Sequence, residues 1–429
     1  MEQITVCGGR PLHGTVPISG SKNGTLPLLA AALLVEGETV LENVPDIDDV
    51  HTMLRMLGAL GVKTRFVRPG LLRIDASEIR SVQAPYELVR RMRGSFYVAG
   101  PLLARLGQAE VPLPGGCIIG SRPVDQHIEG FVALGAKVEE DSGVMRATAS
   151  RLRGARIYLD ARSRSVGATI NIMLAAVLAE GTTVVESASR EPEVVACGEF
   201  LSACGADLSG VGGSTIVIRG VDKLHETQVR AIPDRMEAGT FMYATAVTGG
   251  DTVLERVIPE HLAMVTDALR GMGAQIETGD DWMRVRSEGR LPAADIVTAP
   301  YPGFPTDLQP CHGVLAATAR GTSVIEETIF DARFNYTDEL ARMGADIRVV
   351  GRAAIVKGVP RLSAAPVEAN DIRAGAALVL AGLGAEGQSE ISGAEFIDRG
   401  YERLAEKLRG LGAQVWRQGV EGRQALCLV

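Results

Sequence analysis

Nowhere in this chain does an uninterrupted apolar run reach the roughly 18 residues a membrane span requires. The opening segment MEQITVCGGRPLHG also lacks a basic start followed by an apolar stretch. The expectation is therefore a cytoplasmic protein that engages no membrane. The six cysteines, at positions 7, 117, 197, 204, 311 and 427, form no CxxC pair and have no histidine at metal-ligand spacing. That excludes the common zinc motifs, so no metal is expected and free thiols in a reducing compartment are the simple reading. No GxxxxGK(S/T) phosphate loop occurs, and the glycines of 210–214 read as a hairpin turn. A basic excess is missing too: the formal net charge is -8, which argues against nucleic-acid binding by long-range attraction. Any anion must be held by local charges.

What the chain has is length and a repeat. Its 429 residues exceed the roughly 250 to 300 at which one core stops growing, so two domains are expected. A helix-ending phrase, with a large apolar residue four positions before Gly-(Ala/Val), places its glycine at Gly61, Gly135, Gly205, Gly273, Gly344 and Gly412. A second phrase, glycine then a polar residue then a strand-like run, keeps step at Gly37, Gly107, Gly181, Gly250, Gly321 and Gly387. Each period alternates a short strand, an amphipathic helix, a hairpin, another strand and an apolar helix. The sixth unit reaches a hairpin-like stretch, QVWRQGVEGRQALCLV, without its second strand and apolar helix, which VPISGSKNGTLPLLAAALL near the N-terminus supplies. Three units per half follow. One domain takes 1–21 with 233–429 and the other 22–232, as either an open solenoid or a form closed around helices.

The apolar helices begin in an unusual way. Their starts read Ser21-Lys22-Asn23, Arg91-Met92-Arg93, Arg164-Ser165-Val166-Gly167, Asp234-Arg235, Thr306-Asp307 and Asp371-Ile372-Arg373, which are not ordinary caps. A cation in the first turn opposes the helix dipole by about 0.3 to 1 kcal/mol unless an anion sits there, and five of these six starts carry one. Arg122, Arg333 and Arg399 stand at comparable places on the other helices. Amide groups, dipole and guanidinium together make a site for a ligand with several negative groups; pairing of each cation with a neighbouring Asp, as in Asp398-Arg399, is the alternative.

Two further segments stand out. PLPGGCIIGSRPVDQH, residues 112–127, is rich in glycine and proline and sets Cys117 at an exposed tip near Arg122, where a thiolate could form; the other five cysteines read as inert buried filler. In APYPGFPTDLQP, Asp307 follows three prolines at a helix start, where it is either an N-cap or a rigidly placed general base. His127 lies inside the cysteine motif, whereas the other five histidines read as structural or solvated.

These segments resemble the UDP-N-acetylglucosamine 1-carboxyvinyltransferase family end to end, through SGSKNGTLPLLAAALL, PGGCIIGSRPVDQH, SVGAT, SREPEVV, PDRMEAGTF, FPTDLQ, RFNYTDELARMGAD and IDRGYERL. The sister family acting on shikimate 3-phosphate lacks the cysteine loop. The resemblance implies an inside-out α/β fold of two domains, each of three βαβαββ units around buried helices, with a substrate cleft between them. It also implies transfer of the enolpyruvyl group of phosphoenolpyruvate to UDP-N-acetylglucosamine by addition and elimination, with no cofactor. Lys22, Arg122 and Arg399 resemble a phosphate clamp, Arg333 and Arg373 partners of the carboxylate, and Arg93 a residue near the nucleotide. Asp307 is similar to the candidate base, and Cys117 to the residue that delivers a proton to C3 and is the target of fosfomycin. Asn23, His127, Glu191 and Arg235 resemble family positions that line the substrate site, as do Ser165, Val166 and Gly167. Ile329 and Asp371 complete the set.

Against the family pattern, the stretch before SVGAT, DARSRSVGAT, is longer, Phe396 and Tyr336 stand where histidine is common, and KNG replaces KNA. Three other readings remain open at this point: a transferase for another nucleotide sugar, which the long loop would favour, a catalytically silent UDP-sugar-binding regulator, and a ring-forming clamp. The sequence leaves the oligomeric state open.

Overall fold

The computed structural model describes residues 2–114, 124–161, 164–331 and 333–418. The chain divides into two compact units, one comprising Met1–Ser19 and Pro233–Val429 and the other Gly20–Gly116 and Arg122–Ile232. Each has its own apolar core. Among the described residues no helix is long and apolar enough to cross a membrane, and no group of three or more His, Cys, Asp or Glu is arranged to hold a metal ion.

The sixfold period is visible in the backbone hydrogen bonds. In every period the residue that follows the hairpin donates its N–H to the carbonyl of the second-phrase glycine: Ala76 to Gly37, Ala149 to Gly107, Gly220 to Gly181, Ser287 to Gly250, Gly358 to Gly321 and Gly8 to Gly387, all at 2.9–3.1 Å. Five of the six sheets then share one plan, with the strand after that glycine flanked by the second hairpin strand and by a short parallel strand; beside Gln108–Pro112 the parallel neighbour is reduced to a single bridge between Gln83 and Glu110. In the second domain the parallel strand of the first sheet is Gln228–Arg230, from the end of the third period, paired with Glu38–Glu42. In the other domain His13–Pro17 pairs with Asp251–Glu255. Three units therefore close on themselves in each half, which removes the solenoid alternative.

The sixth sheet departs from the expected plan. Gln414–Gln418 supplies one strand, and Gln3–Cys7 inserts between it and Gln388–Ser392, antiparallel to both. Residues 3–7 alternate polar Gln3 and Thr5 with apolar Ile4 and Val6, as a strand does, although nearly all of both faces is buried.

Six apolar helices fill the interiors: α1 (Lys22–Ala31), α2 (Ala99–Leu106) and α3 (Val166–Ala176) in one unit, α4 (Arg235–Thr248), α5 (Gln309–Thr318) and α6 (Ile372–Gly384) in the other. A helix apolar on all sides has to be buried on all sides, and α4, α5 and α6 pack pairwise on one another. In α6 every residue from Arg373 to Leu383 is buried. Burying one leucine of this kind contributes about 1.5–3 kcal/mol.

Close approach at the hairpin exits makes a sharp prediction. A Cβ on Gly358 would lie 1.8 Å from the backbone oxygen of Ala319, which cannot swing away, whereas one on Gly58, inside the helix Asp48–Ala59, would meet nothing within 4 Å. Gly358→Ala is expected to cost about 1–3 kcal/mol and Gly58→Ala to add about 0.4–1 kcal/mol, read as opposite shifts of the urea midpoint.

Histidine 312 is fully buried on α5 between Tyr243 Oη, 3.1 Å from Nδ1, and the Ala294 carbonyl, 3.1 Å from Nε2. Burial pushes its pKa from 6.5 down to about 4. The unfolded chain therefore binds the proton first, so this group's share of stability is complete above pH 6.5 and is lost as pH falls through 4. A smaller acid shift of the melting temperature is expected in His312→Gln than in the parent.

Cys197, Cys204 and Cys311 are free and buried, with the thiols of all three pushed up to about 12 by desolvation. Cys7 is disulfide-bonded, so the expectation of a free thiol is corrected there.

Candidate functional site

Two groups of the singled-out residues can be built from the backbone upward, one in each unit. In the unit of α4, α5 and α6, Pro305 leads into a tight turn, Thr306–Leu308, that runs into α5. The N-cap positions of this turn and of α5 are Pro305 and Leu308, not Asp307, which disposes of the N-cap alternative. The Asp307 carboxylate instead accepts from Arg333 Nη1 at 2.8 Å and from Arg373 Nε at 3.0 Å.

Both guanidiniums are almost wholly buried, Arg333 at 4% exposure and Arg373 at 3%. Arg373 Nη1 and Nη2 and Arg333 Nε have no hydrogen-bond partner among the described residues. Phe330 and Tyr401 lie against the two groups, at 5.4 and 5.2 Å from the ring centroids. Buried charged donors left unpaired are costly, and three of them on two arginines around one carboxylate mark a place for an incoming anion.

The turn is held by a residue the sequence reading missed. In three other periods the position after the central strand is a left-handed non-glycine residue, Asn43, Ser187 or Arg256; in the fifth it is Glu327, fully buried. Its carboxylate accepts from Thr298 Oγ1 at 2.9 Å, Thr306 Oγ1 at 2.7 Å, and the backbone N–H groups of Ile329 at 2.8 Å and Phe330 at 3.1 Å. One side chain thus fixes both the Asp307 turn and the Ile329 loop. A carboxylate breaking the repeat at that register was the available signal.

Ordinary caps are present after all, which corrects the reading of the helix starts. Asp371 accepts from the N–H groups of Arg373 and Ala374 at 2.8 and 2.9 Å, and Asp234 from those of Met236 and Glu237 at 2.7 and 3.0 Å. Ser21 and Ser165 cap α1 and α3. Cations and caps coexist, because the cap uses the second and third N–H groups while the cation extends from the first turn. Arg235 is the first residue of α4 and lies 5.6 Å from the Tyr301 ring centroid. Arg399 is not at a helix start: it is the C-cap of Ala394–Asp398, where positive charge suits the dipole. Its neighbour Asp398 is engaged by Arg417, at 2.7 Å through Nη1.

In the other unit, Lys22 opens α1 and pairs with buried Asp49 at 3.5 Å, with Asn23 next to it. Arg93 begins the short turn Arg93–Val98. Val166 and Gly167 start α3 behind the Ser165 cap, whose hydroxyl oxygen accepts from Ala168 N–H at 3.2 Å. Arg164, in the preceding loop, adopts φ 40°, a conformation that costs a non-glycine residue energy. His127 and Glu191 are buried; Ser189 donates its hydroxyl to the Glu191 carboxylate. Cys117, Arg122 and Arg162 lie outside the described residues.

The sequence matches the family of EPSP synthase (3-phosphoshikimate 1-carboxyvinyltransferase) over residues 6–408. It is 50% identical over 98% of its length, and 99% of the relative's, to UDP-N-acetylglucosamine 1-carboxyvinyltransferase 3 of Symbiobacterium thermophilum. With UDP-N-acetylglucosamine 1-carboxyvinyltransferase 2 of Bacillus subtilis it shares 48% identity over 97% of each chain. Among solved structures, the enolpyruvyl transferase NikO from Streptomyces tendae superposes with a TM-score of 0.88 at 26% identity, covering 97% of this chain and 98% of that one. An EPSP synthase from Acinetobacter baumannii superposes at 0.75 with 20% identity, covering 98% and 100%, and shows the shared fold. On these matches the chain, a two-domain inside-out α/β protein, belongs to the EPSP synthase family and, within it, to the UDP-N-acetylglucosamine 1-carboxyvinyltransferases.

Proposed function

We propose that the protein transfers the enolpyruvyl group of phosphoenolpyruvate to the 3-hydroxyl of UDP-N-acetylglucosamine, the first committed step of peptidoglycan precursor synthesis, and that it does so in the cytoplasm. The observation that carries the chemistry is the Asp307 carboxylate between two buried arginines that keep unused donors. Asp307 takes the hydroxyl proton as the oxygen bonds to C2 of phosphoenolpyruvate. C3 gains a proton in the same addition, the step assigned to Cys117. The tetrahedral intermediate then loses the proton from C3 and expels phosphate.

Arg333 and Arg373 hold the carboxylate of the three-carbon substrate, and Arg399 its phosphate, roles that suit fixed guanidinium forks. Lys22 and Arg122 act on the same phosphate. Arg93, His127, Ser165, Val166, Gly167 and Glu191 bind the nucleotide sugar. Asn23, Arg235, Ile329 and Asp371 shape the acceptor's surroundings. Preset cations stabilise charge that develops in the intermediate, the principal catalytic contribution.

The test is phosphate release from phosphoenolpyruvate with UDP-N-acetylglucosamine, beside shikimate 3-phosphate as the alternative acceptor. Release that requires the nucleotide sugar supports the reaction. No release by protein that still binds the sugar nucleotide would remove it.

A further inference from the structure

We infer that Asn171 is a positioning residue that locks His127 into its Nε2–H form, so that the imidazole presents a hydrogen-bond donor at the start of α3. The inference rests on the nucleotide-binding role proposed above only for the ligand it names.

Asn171 is an oddity in its helix. It sits fully buried in α3, whose one other polar side chain is Thr169, and a buried amide survives only if its polar atoms are matched. They are matched by groups whose polarity leaves no choice. Oδ1 accepts the backbone N–H of Gly100 at 2.9 Å, and Nδ2 donates to the backbone carbonyl of Phe96 at 2.9 Å. Turning the amide over would set oxygen against oxygen and N–H against N–H, so its orientation is fixed by the main chain alone.

The second Nδ2 hydrogen points at His127 Nδ1, 3.0 Å away. A donor faces that nitrogen, so it must accept, and the ring proton resides on Nε2. The ring is held in place as well. Phe96, the residue whose carbonyl anchors the amide, sets its own ring edge-on to the imidazole, 5.1 Å between centroids and 87° between planes.

The opposite edge of the imidazole is turned toward Gly167: a Cβ there would lie 3.0 Å from both Nε2 and Cε1. Gly167 is the second residue of α3, so the donor edge lies beside the helix's first N–H groups. A matching constraint acts behind the amide, where a Cβ on Gly100 would fall 2.5 Å from the Asn171 carbonyl oxygen and 2.8 Å from Oδ1. Two glycines, one amide and one aromatic ring converge on the state of a single imidazole. The ligand group this arrangement suits is an acceptor oxygen, such as those of a nucleoside diphosphate.

Long-range proton–nitrogen correlation on protein labelled with nitrogen-15 in histidine reads the tautomer directly, with His127→Asn identifying the signal and UDP as the ligand probe. The parent is expected to show the neutral Nε2–H form. In Asn171→Asp the carboxylate accepts where the amide donated, so the proton is expected on Nδ1, with UDP bound roughly tenfold more weakly. The KM for phosphoenolpyruvate is expected to be unchanged, a split that general loosening would not produce. An Nδ1–H signal in the parent overturns the lock without recourse to any variant, and so does a folded Asn171→Asp with the parent's tautomer and UDP affinity. A parent that shows Nε2–H and yet binds no UDP would instead remove the nucleotide reading.

Discussion

Asp307→Asn is expected to lower turnover roughly a thousandfold at saturating substrates, within the range for loss of a positioned general base. The amide keeps the size of the carboxylate but cannot take the proton of the sugar hydroxyl. It also leaves Arg333 and Arg373, both almost wholly buried, facing a neutral group in place of the carboxylate they meet at 2.8 and 3.0 Å. Because the Asp307 side chain is a quarter exposed, water offsets part of that loss, and a stability cost of about 1–3 kcal/mol is the expectation. Turnover and thermal unfolding therefore have to be measured together. Turnover within tenfold of the parent, in protein that remains folded, would strip Asp307 of the role of base and leave it as the counter-ion of two arginines.

The second large effect falls on phosphoenolpyruvate binding. Arg373→Met is expected to raise the KM for phosphoenolpyruvate by about a hundredfold or more, the scale on which truncating a buried charged anchor acts. The same protein is expected to melt lower than the parent. Arg373 is 3% exposed and its Nε donates to Asp307 at 3.0 Å, and removing one partner of a buried pair destabilises by about 3–5 kcal/mol. Asp307 keeps Arg333 and is a quarter exposed, which sets the cost toward the lower end. A KM within tenfold of the parent's, in protein that remains folded, would strip Arg373 of its hold on the substrate carboxylate and leave it as a partner of Asp307.

Much of this was legible in the sequence because it is periodic. Glycines recurring in two phases located the strands, helices and hairpins, since a left-handed helix end and a close backbone approach both demand that residue. The same period exposed the arginines, which break helix rules at equivalent points. What escaped was whatever depends on distant partners. Glu327 looks like one more surface glutamate after a strand until Thr298, Thr306 and two amides close on it. Asn171 looks like a blemish in an apolar helix until the Phe96 carbonyl, Gly100 and His127 surround it. The caps at Ser21, Ser165, Asp234 and Asp371 were passed over because the cations beside them drew the reading toward ligands. Gln3–Cys7 pairs with segments almost the whole length of the chain away, and no local pattern can announce such a pairing.

That last strand sets the order in which the protein can be completed on the ribosome. The unit ending at Ile232 has all its segments once that residue has emerged, and domains generally fold as units while synthesis continues. Gln3–Cys7 is made near the start, yet both its neighbours, Gln388–Ser392 and Gln414–Gln418, are made near the end. At about 5–20 residues per second the strand waits on the order of 20 to 80 s with neither edge paired. An unpaired apolar strand is a template for the wrong neighbour. The nascent chain of this enzyme is therefore most exposed to mispairing at its first strand, during the time it takes to translate the rest.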